Sequence, residues 1–322
     1  MRILVIGGAG YIGSHVCKEL IKQNHQVTVF DNLHSGLKEN LLPMATFIEG
    51  DILFSEQLDA ALSGQDAVIH LAAFKAAGES MTNPEKYSIN NLCGTINILN
   101  AMCKADVKKI IFSSSAAVYG EPKYLPLDEN HPTKPINYYG FTKLEIERIL
   151  KWYSQLKDIH FAALRYFNAV GYDHEGELKG LEKNPQNLLP IVMEVISGKR
   201  KKLQVFGDDY ETPDGTCIRD YIHVDDLANA HAKALNYLEQ KQKDLIVNLA
   251  TGKGLSVKEI ITETKKQSGI DFTVEVVARR AGDPATLYAS NALAKELLDW
   301  QPRYSDLETI IYTTLKAYKL KK

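Results

Sequence analysis

A tyrosine and a lysine four residues apart, Tyr139 and Lys143 in the stretch NYYGFTKLEIE, have the spacing of a proton-transfer pair. Residues four apart on a helix share one face, so the ammonium can lie beneath the phenol. The ordinary pKa of tyrosine is near 10, and lowering it by about three units requires roughly 4 kcal/mol of preferential stabilisation of the phenolate. Nearby positive charge in a water-poor site supplies such stabilisation. The pair is therefore a candidate general base with its electrostatic partner.

The Tyr-x-x-x-Lys spacing occurs six times, starting at Tyr119, Tyr139, Tyr153, Tyr237, Tyr312 and Tyr318. Pro122 interrupts the first of these as a helical pair, and the last two lie near the chain terminus, where fraying is common. The third and fourth lie late in amphipathic helices. Only Tyr139 opens a helix directly after a strand that ends in serines, SSSAAVYG. Since ligands bind beyond the carboxyl ends of parallel strands, Tyr139 is the chemical candidate.

A glycine-rich loop follows the first predicted strand in LVIGGAGYIGSH, with Gly7, Gly10 and Gly13 opening the first helix. Such glycines permit a tight turn and a close approach of the backbone to a pyrophosphate, which meets the positive end of the helix. Asp31 lies 18 residues beyond Gly13 at the end of the second strand, where a carboxylate binds a ribose diol. That carboxylate repels a 2′-phosphate, so the loop predicts an NAD site rather than an NADP site.

Short apolar runs alternate with longer stretches of helical periodicity, which is typical of a parallel sheet covered by helices. Strands are predicted at 2–6, 26–30, 46–50, 67–72, 109–114 and 160–167. Helices are predicted at about 12–24, 55–63, 85–105 and 139–157, the third starting at Asn83-Pro84. The sequence therefore predicts an α/β fold, a doubly wound Rossmann-like parallel sheet with a smaller mixed α/β substrate domain.

The regularity ends after residue 168, where Pro, Gly and Asn become frequent. We expect residues 1–168 to form the NAD-binding domain, rejoined by about 217–250 through a helix near 225–239 and a strand at 245–250. Residues 169–216 and 251–322 are then expected to form the second domain.

Bulk composition excludes several classes of protein. The 322 residues carry a formal net charge of −2, which gives no reason to expect nucleic acid or an anionic membrane as partner. The N-terminal apolar run is too short for a secretory signal, and no run is long enough for a membrane span. Four cysteines without metal-like spacing predict reduced, mostly buried thiols, no metal site and a cytoplasmic location.

The motifs GGAGYIGSH, DNL, GDI, SSSAAVYG and RYFN, with the Tyr139/Lys143 pair, resemble the extended short-chain dehydrogenase/reductases. More narrowly, HLAAFKAAGES, FGDDYETPDGTCIRDYIHVDDLA and RRAGD are similar to the UDP-glucose 4-epimerase family. The similarity covers nearly the whole chain, and the long RDYIHV block is more specific than any single motif.

The resemblance implies a role for each matching residue. Tyr139 would be the base, Lys143 its partner and Ser115 the contact to the reacting sugar oxygen, and all three would touch NAD. The other implied NAD contacts are Gly7, Gly10, Tyr11, Ile12, Gly13, Asp31, Asn32, Leu33, His34, Ser35, Gly36, Asp51, Ile52, Leu71, Ala72, Ala73, Phe74, Lys75, Asn90 and Phe167. Beside Ser115 and Tyr139, the implied nucleotide-sugar contacts are Asn168, Asn187, Leu188, Gln204, Phe206, Arg219, Tyr221, Arg280, Asp283 and Leu287.

The resemblance also implies a reaction and an assembly. A UDP-sugar would be oxidised at C4 to a 4-keto sugar and reduced again on the other face, interconverting UDP-galactose and UDP-glucose without net redox change. The helices at 85–105 and 139–157 would pair with those of a second copy in a homodimer.

Three positions depart from the family pattern: Tyr138 and Ala169 stand where proline is frequent, and Leu287 stands where the residue near the sugar 2-substituent varies. UDP-N-acetylhexosamines and UDP-glucuronate therefore remain open as substrates. A nucleotide-sugar 4,6-dehydratase would carry an acidic pair where Ala116 and Ala117 stand. A non-catalytic NAD-sensing protein would have no need of the intact base.

Overall fold

The computed structural model describes residues 1–182, 185–280 and 284–320. Its strands, in chain order, are β1 (Arg2–Ile6), β2 (Gln26–Asp31), β3 (Thr46–Glu49), β4 (Ala67–His70), β5 (Lys109–Ser113), β6 (His160–Tyr166), β7 (Asn168–Val170), β8 (Leu203–Phe206), β9 (Ile218–Arg219), β10 (Tyr221–His223), β11 (Leu245–Leu249), β12 (Leu255–Ser256), β13 (Val274–Val277) and β14 (Thr286–Leu287). Seven of them form one sheet in the order β11-β6-β5-β4-β1-β2-β3. Every neighbouring pair in that sheet is parallel, which confirms the predicted doubly wound α/β fold.

The α-helices are α1 (Tyr11–Lys22), α2 (Ser55–Leu62), α3 (Ala77–Ser80), α4 (Pro84–Tyr87), α5 (Gly94–Ala105), α6 (Tyr138–Lys157), α7 (Leu188–Ile196), α8 (Val224–Lys241), α9 (Val257–Ser268), α10 (Ala292–Leu298) and α11 (Leu307–Ala317). The single helix predicted at 85–105 is instead divided, because a π-helical turn at Ser88–Cys93 separates α4 from α5. Pro84 occupies the first turn of α4 as predicted, whereas the Asn83 side chain makes no capping hydrogen bond.

Helices cover both faces of the main sheet. On one face α1 and α8 pack against apolar strand residues, with fully buried Trp300 in the same cluster. On the other face α2, α5 and α6 enclose the second apolar cluster. Burial on both faces explains why the strands are continuously apolar. Among the helices of the described residues, none has both the length and the apolar character needed to cross a membrane.

The remaining strands form small sheets after residue 168. β7 pairs with β10, β8 with β13, and β9 lies between β12 and β14. Helices α7, α9 and α11 contribute to a separate apolar cluster with β8 and β10. β11 follows α8 in the chain and lies beside β6, so residues 245–249 return to the main sheet. The predicted domain boundaries stay a prediction.

The glycine loop after β1 is shaped by close backbone contacts. Gly7 has a φ of +85°, and a Cβ there would lie 2.7 Å from the backbone nitrogen of Ala72. A Cβ on Gly13 would lie 2.1 Å from the carbonyl oxygen of Gly7. These two positions therefore require glycine for the loop to pass between β1 and β4 and for α1 to pack against it.

We predict that Gly13→Ala lowers the free energy of unfolding by about 1–3 kcal/mol, because the added methyl group overlaps a backbone oxygen. Urea unfolding of the variant and the wild type measures the difference. Gly78→Ala is the matched control, since a Cβ at Gly78 meets nothing within 4 Å. Equal effects of the two substitutions would contradict this interpretation of the loop.

Candidate active site

Ser115 and Tyr139 meet at the carboxyl edge of the main sheet. Ser115 follows β5, and its Oγ accepts a hydrogen bond of 3.1 Å from the backbone N–H of Ala117. Asn137 caps α6 by accepting from the N–H of Gly140 at 2.8 Å, and the N–H of Tyr139 donates to Ser80 Oγ at 3.0 Å. The first turn of α6 is thereby fixed, with the Tyr139 hydroxyl close enough to the Ser115 hydroxyl to be stabilised by it.

The chain's own residues favour the protonated form of Tyr139. Burial raises the pKa of the Tyr139 phenol, and the hydrogen bond with Ser115 opposes that rise. The Lys143 Nζ lies 5.8 Å from the centroid of the Tyr139 ring, so the pair shares a helix face as the spacing predicts. At this distance Lys143 does not outweigh burial, and further positive charge beside the phenol is required to lower its pKa.

Lys143 is almost completely buried, with 2% of its surface exposed. Its Nζ donates a 2.6 Å hydrogen bond to the carbonyl oxygen of Ser113 and lies 4.7 Å from the centroid of the Phe112 ring. Burial lowers the pKa of Lys143 to about 7, although the negative charge of Glu147 acts in the opposite direction. The lysine can therefore change protonation state near neutral pH.

A buried polar network beneath Lys143 was not predicted from the sequence. Glu147 receives two hydrogen bonds from Arg165, at 2.9 Å from Nε and 2.6 Å from Nη2, and a third of 2.6 Å from Ser114 Oγ. Arg165 Nη1 also donates to the Tyr119 hydroxyl at 3.0 Å. One signal for part of this network was present in the sequence. Glu147 follows Lys143 by four residues, which places the two side chains on one helix face.

Tyr138 departs from the family pattern in a way that the structure explains. Its N–H donates to Met81 Sδ at 3.3 Å, a contact that proline cannot make. Its hydroxyl is hydrogen-bonded to Ser88 Oγ at 2.6 Å, and its ring stacks on Phe141 with centroids 5.3 Å apart. These contacts constrain the start of α6 in place of a proline ring.

The predicted dinucleotide site lies along the same edge of the sheet. The N-terminus of α1 has neither a side-chain cap nor an acidic residue in its first turn, so its N–H groups can meet a pyrophosphate. The Asp31 carboxylate accepts from the backbone N–H of Ala9 at 3.0 Å and of Leu33 at 2.8 Å. A carboxylate has about four acceptor sites, so capacity remains for ribose hydroxyls.

The other predicted NAD residues surround this loop. Asn32 Nδ2 donates to Asp51 Oδ2 at 2.9 Å, and the His34 ring lies edge-on to Phe74 with centroids 5.3 Å apart. Lys75 forms a 2.6 Å ion pair with Glu182 from the loop beyond β7. The remaining members lie in the segments that follow β1, β2, β3, β4 and β6 and in the π-helical turn: Gly10, Tyr11, Ile12, Ser35, Gly36, Ile52, Leu71, Ala72, Ala73, Asn90 and Phe167.

The predicted sugar-nucleotide residues form neighbouring groups in the smaller sheets. Asn168 on β7 is directly opposite Tyr221 on β10, and Arg219 on β9 is opposite Leu287 on β14. The Arg280 guanidinium lies 3.8 Å from the centroid of the Phe206 ring.

The other members of this group are spread around that region. Asn187 and Leu188 lie at the start of α7, and Gln204 on β8 donates to Glu275 at 3.2 Å. Ala169 pairs with Ile222 between β7 and β10. Asp283 lies outside the described residues.

Ligand-type side chains also cluster away from this site. Atoms of Asp173, His174 and Asp225 lie within 4.8 Å of one another. Lys18 Nζ lies 2.6 Å from Asp173 Oδ1, and His174 Nδ1 is 2.8 Å from Asp225 Oδ2. The cluster is thus already linked by ion pairs and hydrogen bonds.

A parallel sheet with an uncapped, glycine-rich helix start and an acidic second strand end defines a dinucleotide-binding α/β protein of the Rossmann type. The chain belongs to the NAD dependent epimerase/dehydratase family, whose model matches residues 3–250. NAD is accordingly its cofactor, and Asp31 and the α1 N-terminus fit a pyrophosphate joined to an unphosphorylated ribose diol.

Named epimerases are similar to this chain over nearly its whole length. The chain is 46% identical over 314 residues to a UDP-glucose 4-epimerase of Halalkalibacterium halodurans, covering 97% of this chain and 93% of that protein. It is similar to the crystal structure of UDP-glucose 4-epimerase from Brucella ovis in complex with NAD, with a TM-score of 0.96, 45% identity and 98% coverage of both chains. The UDP-Glc/GlcNAc 4-epimerase of Campylobacter jejuni is similar at a TM-score of 0.86, with 41% identity and 99% coverage of both chains.

We predict that the burial of Lys143 makes protein stability depend on pH. The pKa is about 7 in the folded chain and 10.5 in the unfolded chain, so between these values the unfolded chain binds more protons. Stability attributable to this lysine must then rise with pH, by at most about 1.4 kcal/mol per pH unit.

Urea unfolding of the wild type and of Lys143→Met between about pH 7 and pH 9 isolates this contribution, because the other titrating groups are common to both proteins. The free energy of unfolding of the wild type, relative to that of the variant, should increase as pH rises. A constant difference would show that Lys143 keeps an ordinary pKa.

Proposed function

We propose that this protein interconverts UDP-galactose and UDP-glucose by reversible NAD-dependent epimerisation at C4. The observation that carries the proposal is the contact between the Ser115 and Tyr139 side chains, with Lys143 on the same helix face. Its position at the carboxyl edge, beside the predicted NAD residues, gives the hydroxyl pair access to a sugar and a cofactor together. The two UDP-glucose 4-epimerases and the dual-specificity enzyme to which the chain is similar support the choice of reaction.

In the proposed reaction Tyr139 takes the proton of the sugar 4-hydroxyl and later returns it. Ser115 holds the same sugar oxygen, because its hydroxyl both donates and accepts. Lys143 stabilises the phenolate from beneath. When bound, NAD would supply the hydride acceptor and additional positive charge that lowers the pKa of the phenol. The chain must also let the 4-keto sugar present its other face.

We further propose that the smaller sheets bind the UDP group. Arg219 and Arg280 suit a diphosphate, because guanidinium groups bind phosphate oxygens in pairs. Phe206 provides an aromatic surface suited to uracil, although one face of the ring lies beneath Arg280. Leu287, on β14 beside Arg219, would lie near the sugar 2-substituent.

Other substrates and reactions make different demands. A UDP-N-acetylhexosamine needs space near Leu287, and the similarity to a UDP-Glc/GlcNAc 4-epimerase favours it as the second candidate. UDP-glucuronate needs positive charge for its carboxylate. A 4,6-dehydratase needs acidic groups where Ala116 and Ala117 form part of a 3₁₀ turn after Ser115. A regulatory NAD-binding protein gains nothing from a paired Ser115 and Tyr139.

We predict that the purified protein converts UDP-galactose to UDP-glucose, and that Tyr139→Phe lowers kcat about 100-fold or more, because the general base is lost. Product analysis without and then with added NAD also tells whether the cofactor is retained through purification. UDP-N-acetylgalactosamine in a parallel reaction tests the second candidate.

Tyr138→Phe is the matched control, since that hydroxyl is bonded to Ser88 and not to Ser115. It should keep kcat within a few-fold of the wild type. Absence of conversion by the wild type with NAD present, or equal losses in both variants, would refute the assignment of Tyr139.

We also propose a homodimer formed through α5 and α6. Trp152 and Leu156 on α6 have 62% and 68% of their surfaces exposed, and Phe141 on the same helix is also exposed. Trp152 and Leu156 line a surface groove of about 610 Å³ between α2, α5 and α6. Large apolar side chains clustered on the surface mark an interface. A second copy is the occupant that the family resemblance implies.

We predict that Trp152→Glu weakens this dimer roughly 1,000-fold, because a two-fold axis places the substitution in the interface twice. Sedimentation velocity over a range of concentrations measures the change. Met44→Glu, at another exposed apolar position, should leave the dimer intact. A wild type that sediments as a monomer throughout would disprove the proposed interface.

A cytoplasmic location is proposed on the thiol chemistry of the chain. Its four cysteines are free. Cys17 and Cys217 are buried but Cys93 is exposed and Cys103 partly so, which corrects the expectation that most would be buried. Exposed free thiols suit a reducing compartment.

A further inference from the structure

Glu147 occupies the centre of a buried charged cluster that the proposed chemistry does not use directly. Only 2% of its surface is exposed, and Arg165 is 5% exposed. The two side chains form a bidentate pair, and Ser114 donates a third hydrogen bond to Glu147. A carboxylate held by three donors has a fixed position, so its electrostatic effect on its neighbours is also fixed.

Lys143 is the neighbour on which this carboxylate acts. The groups packed around the Lys143 ammonium come from three elements. They are the Ser113 carbonyl and Phe112 ring of β5, His70 of β4, whose pKa Lys143 helps to lower, and Tyr139 and Glu147, which lie one helical turn before and after Lys143 on α6. From β6, Tyr166 is hydrogen-bonded to the Ser113 hydroxyl and Arg165 to Glu147. Within this set Glu147 supplies the negative charge that offsets the burial of Lys143.

We propose that Glu147 is a positioning residue that keeps Lys143 charged beneath Tyr139, with Arg165 and Ser114 holding the carboxylate in place. The inference rests on the proposed function, because the charge of Lys143 matters to the reaction only if Tyr139 is its base. Ser114 gives Glu147 a second role. The Ser114 hydroxyl donates a hydrogen bond to the Glu147 carboxylate, and Ser114 directly precedes Ser115 just after the end of β5. Glu147 therefore influences the position of Ser115 as well as the charge of Lys143.

The sign of the expected effect follows from the charge. Lys143 is an ammonium below its pKa, and removing a nearby negative charge lowers that pKa. Glu147→Gln also leaves the Arg165 charge without its counter-ion, which acts in the same direction. The alkaline limb of the kcat profile, where the ammonium is lost, should therefore move to lower pH by about one unit.

The experiment compares pH profiles of kcat for the NAD-loaded wild type, Glu147→Gln and Glu147→Asp. Glu147→Asp keeps the negative charge, so the pH of its alkaline limb should lie closer to the wild-type value than that of Glu147→Gln. A purely structural role of Glu147 predicts no such difference. Glu194→Gln is the matched control. Glu194 forms a comparable pair with Arg200, at 2.5 Å on the surface, and its loss should leave the profile unchanged.

A second measurement does not depend on turnover. Protein labelled with ¹³C at the lysine ε-carbon reports the protonation of Lys143 by NMR, the signal being assigned from its absence in Lys143→Met. The titration midpoint should fall in Glu147→Gln by the same amount as the kinetic limb. If Glu147→Gln does not fold, Glu147→Asp should show a smaller fall, because its carboxylate is withdrawn by one methylene.

An unchanged Lys143 titration in the Glu147 variants would overturn the inference, even if their activity falls. A wild type that binds NAD but does not convert UDP-galactose would refute the proposed function instead. In that case the NMR comparison still decides whether Glu147 controls the charge of Lys143.

Discussion

Parallel pairing of the seven central strands is the constraint on which the rest of the molecule depends. Because every strand runs in the same direction, their carboxyl ends meet at one edge, and segments distant in sequence become neighbours there. The Asp31 carboxylate, the segment after β4 and the serines after β5 are brought together in this way. The glycine loop satisfies the same constraint, since Gly7 must pass within van der Waals contact of Ala72.

Burial of charged side chains changes their pKa values at the carboxyl edge of the main sheet. Placing an ammonium away from water disfavours its charged form, and the pKa of Lys143 falls to about 7 as a result. The Glu147–Arg165 pair is equally enclosed, and such pairs often add little net stability compared with apolar residues of similar size. The role proposed for the pair is accordingly its effect on the charge of Lys143, not a contribution to the stability of the fold.

Tyr138 stands where the family resemblance predicts proline, yet its contacts still constrain the start of α6. These are the contacts of Tyr138 with Met81, Ser88 and Phe141. The π-helical turn that contains Ser88 also carries Asn90, so the Ser88–Tyr138 hydrogen bond links the residue next to the candidate base to the turn with a predicted cofactor contact. Different side chains thus fix the start of the helix that carries the proposed base.

The fold class and the glycine loop could be predicted from the sequence, and Asp31 and the Tyr139/Lys143 pair could be selected as candidates, because each rests on local periodicity or short spacing. Matching motifs then indicated the family. The π-helical break at Ser88–Cys93 was not foreseen, since the residues there have no distinctive pattern. The contact of Arg165 from β6 with Glu147 from α6, and the burial that raises the pKa of Tyr139, are visible only in the folded chain. Those outcomes depend on which distant side chains exclude water, and local sequence does not encode that directly.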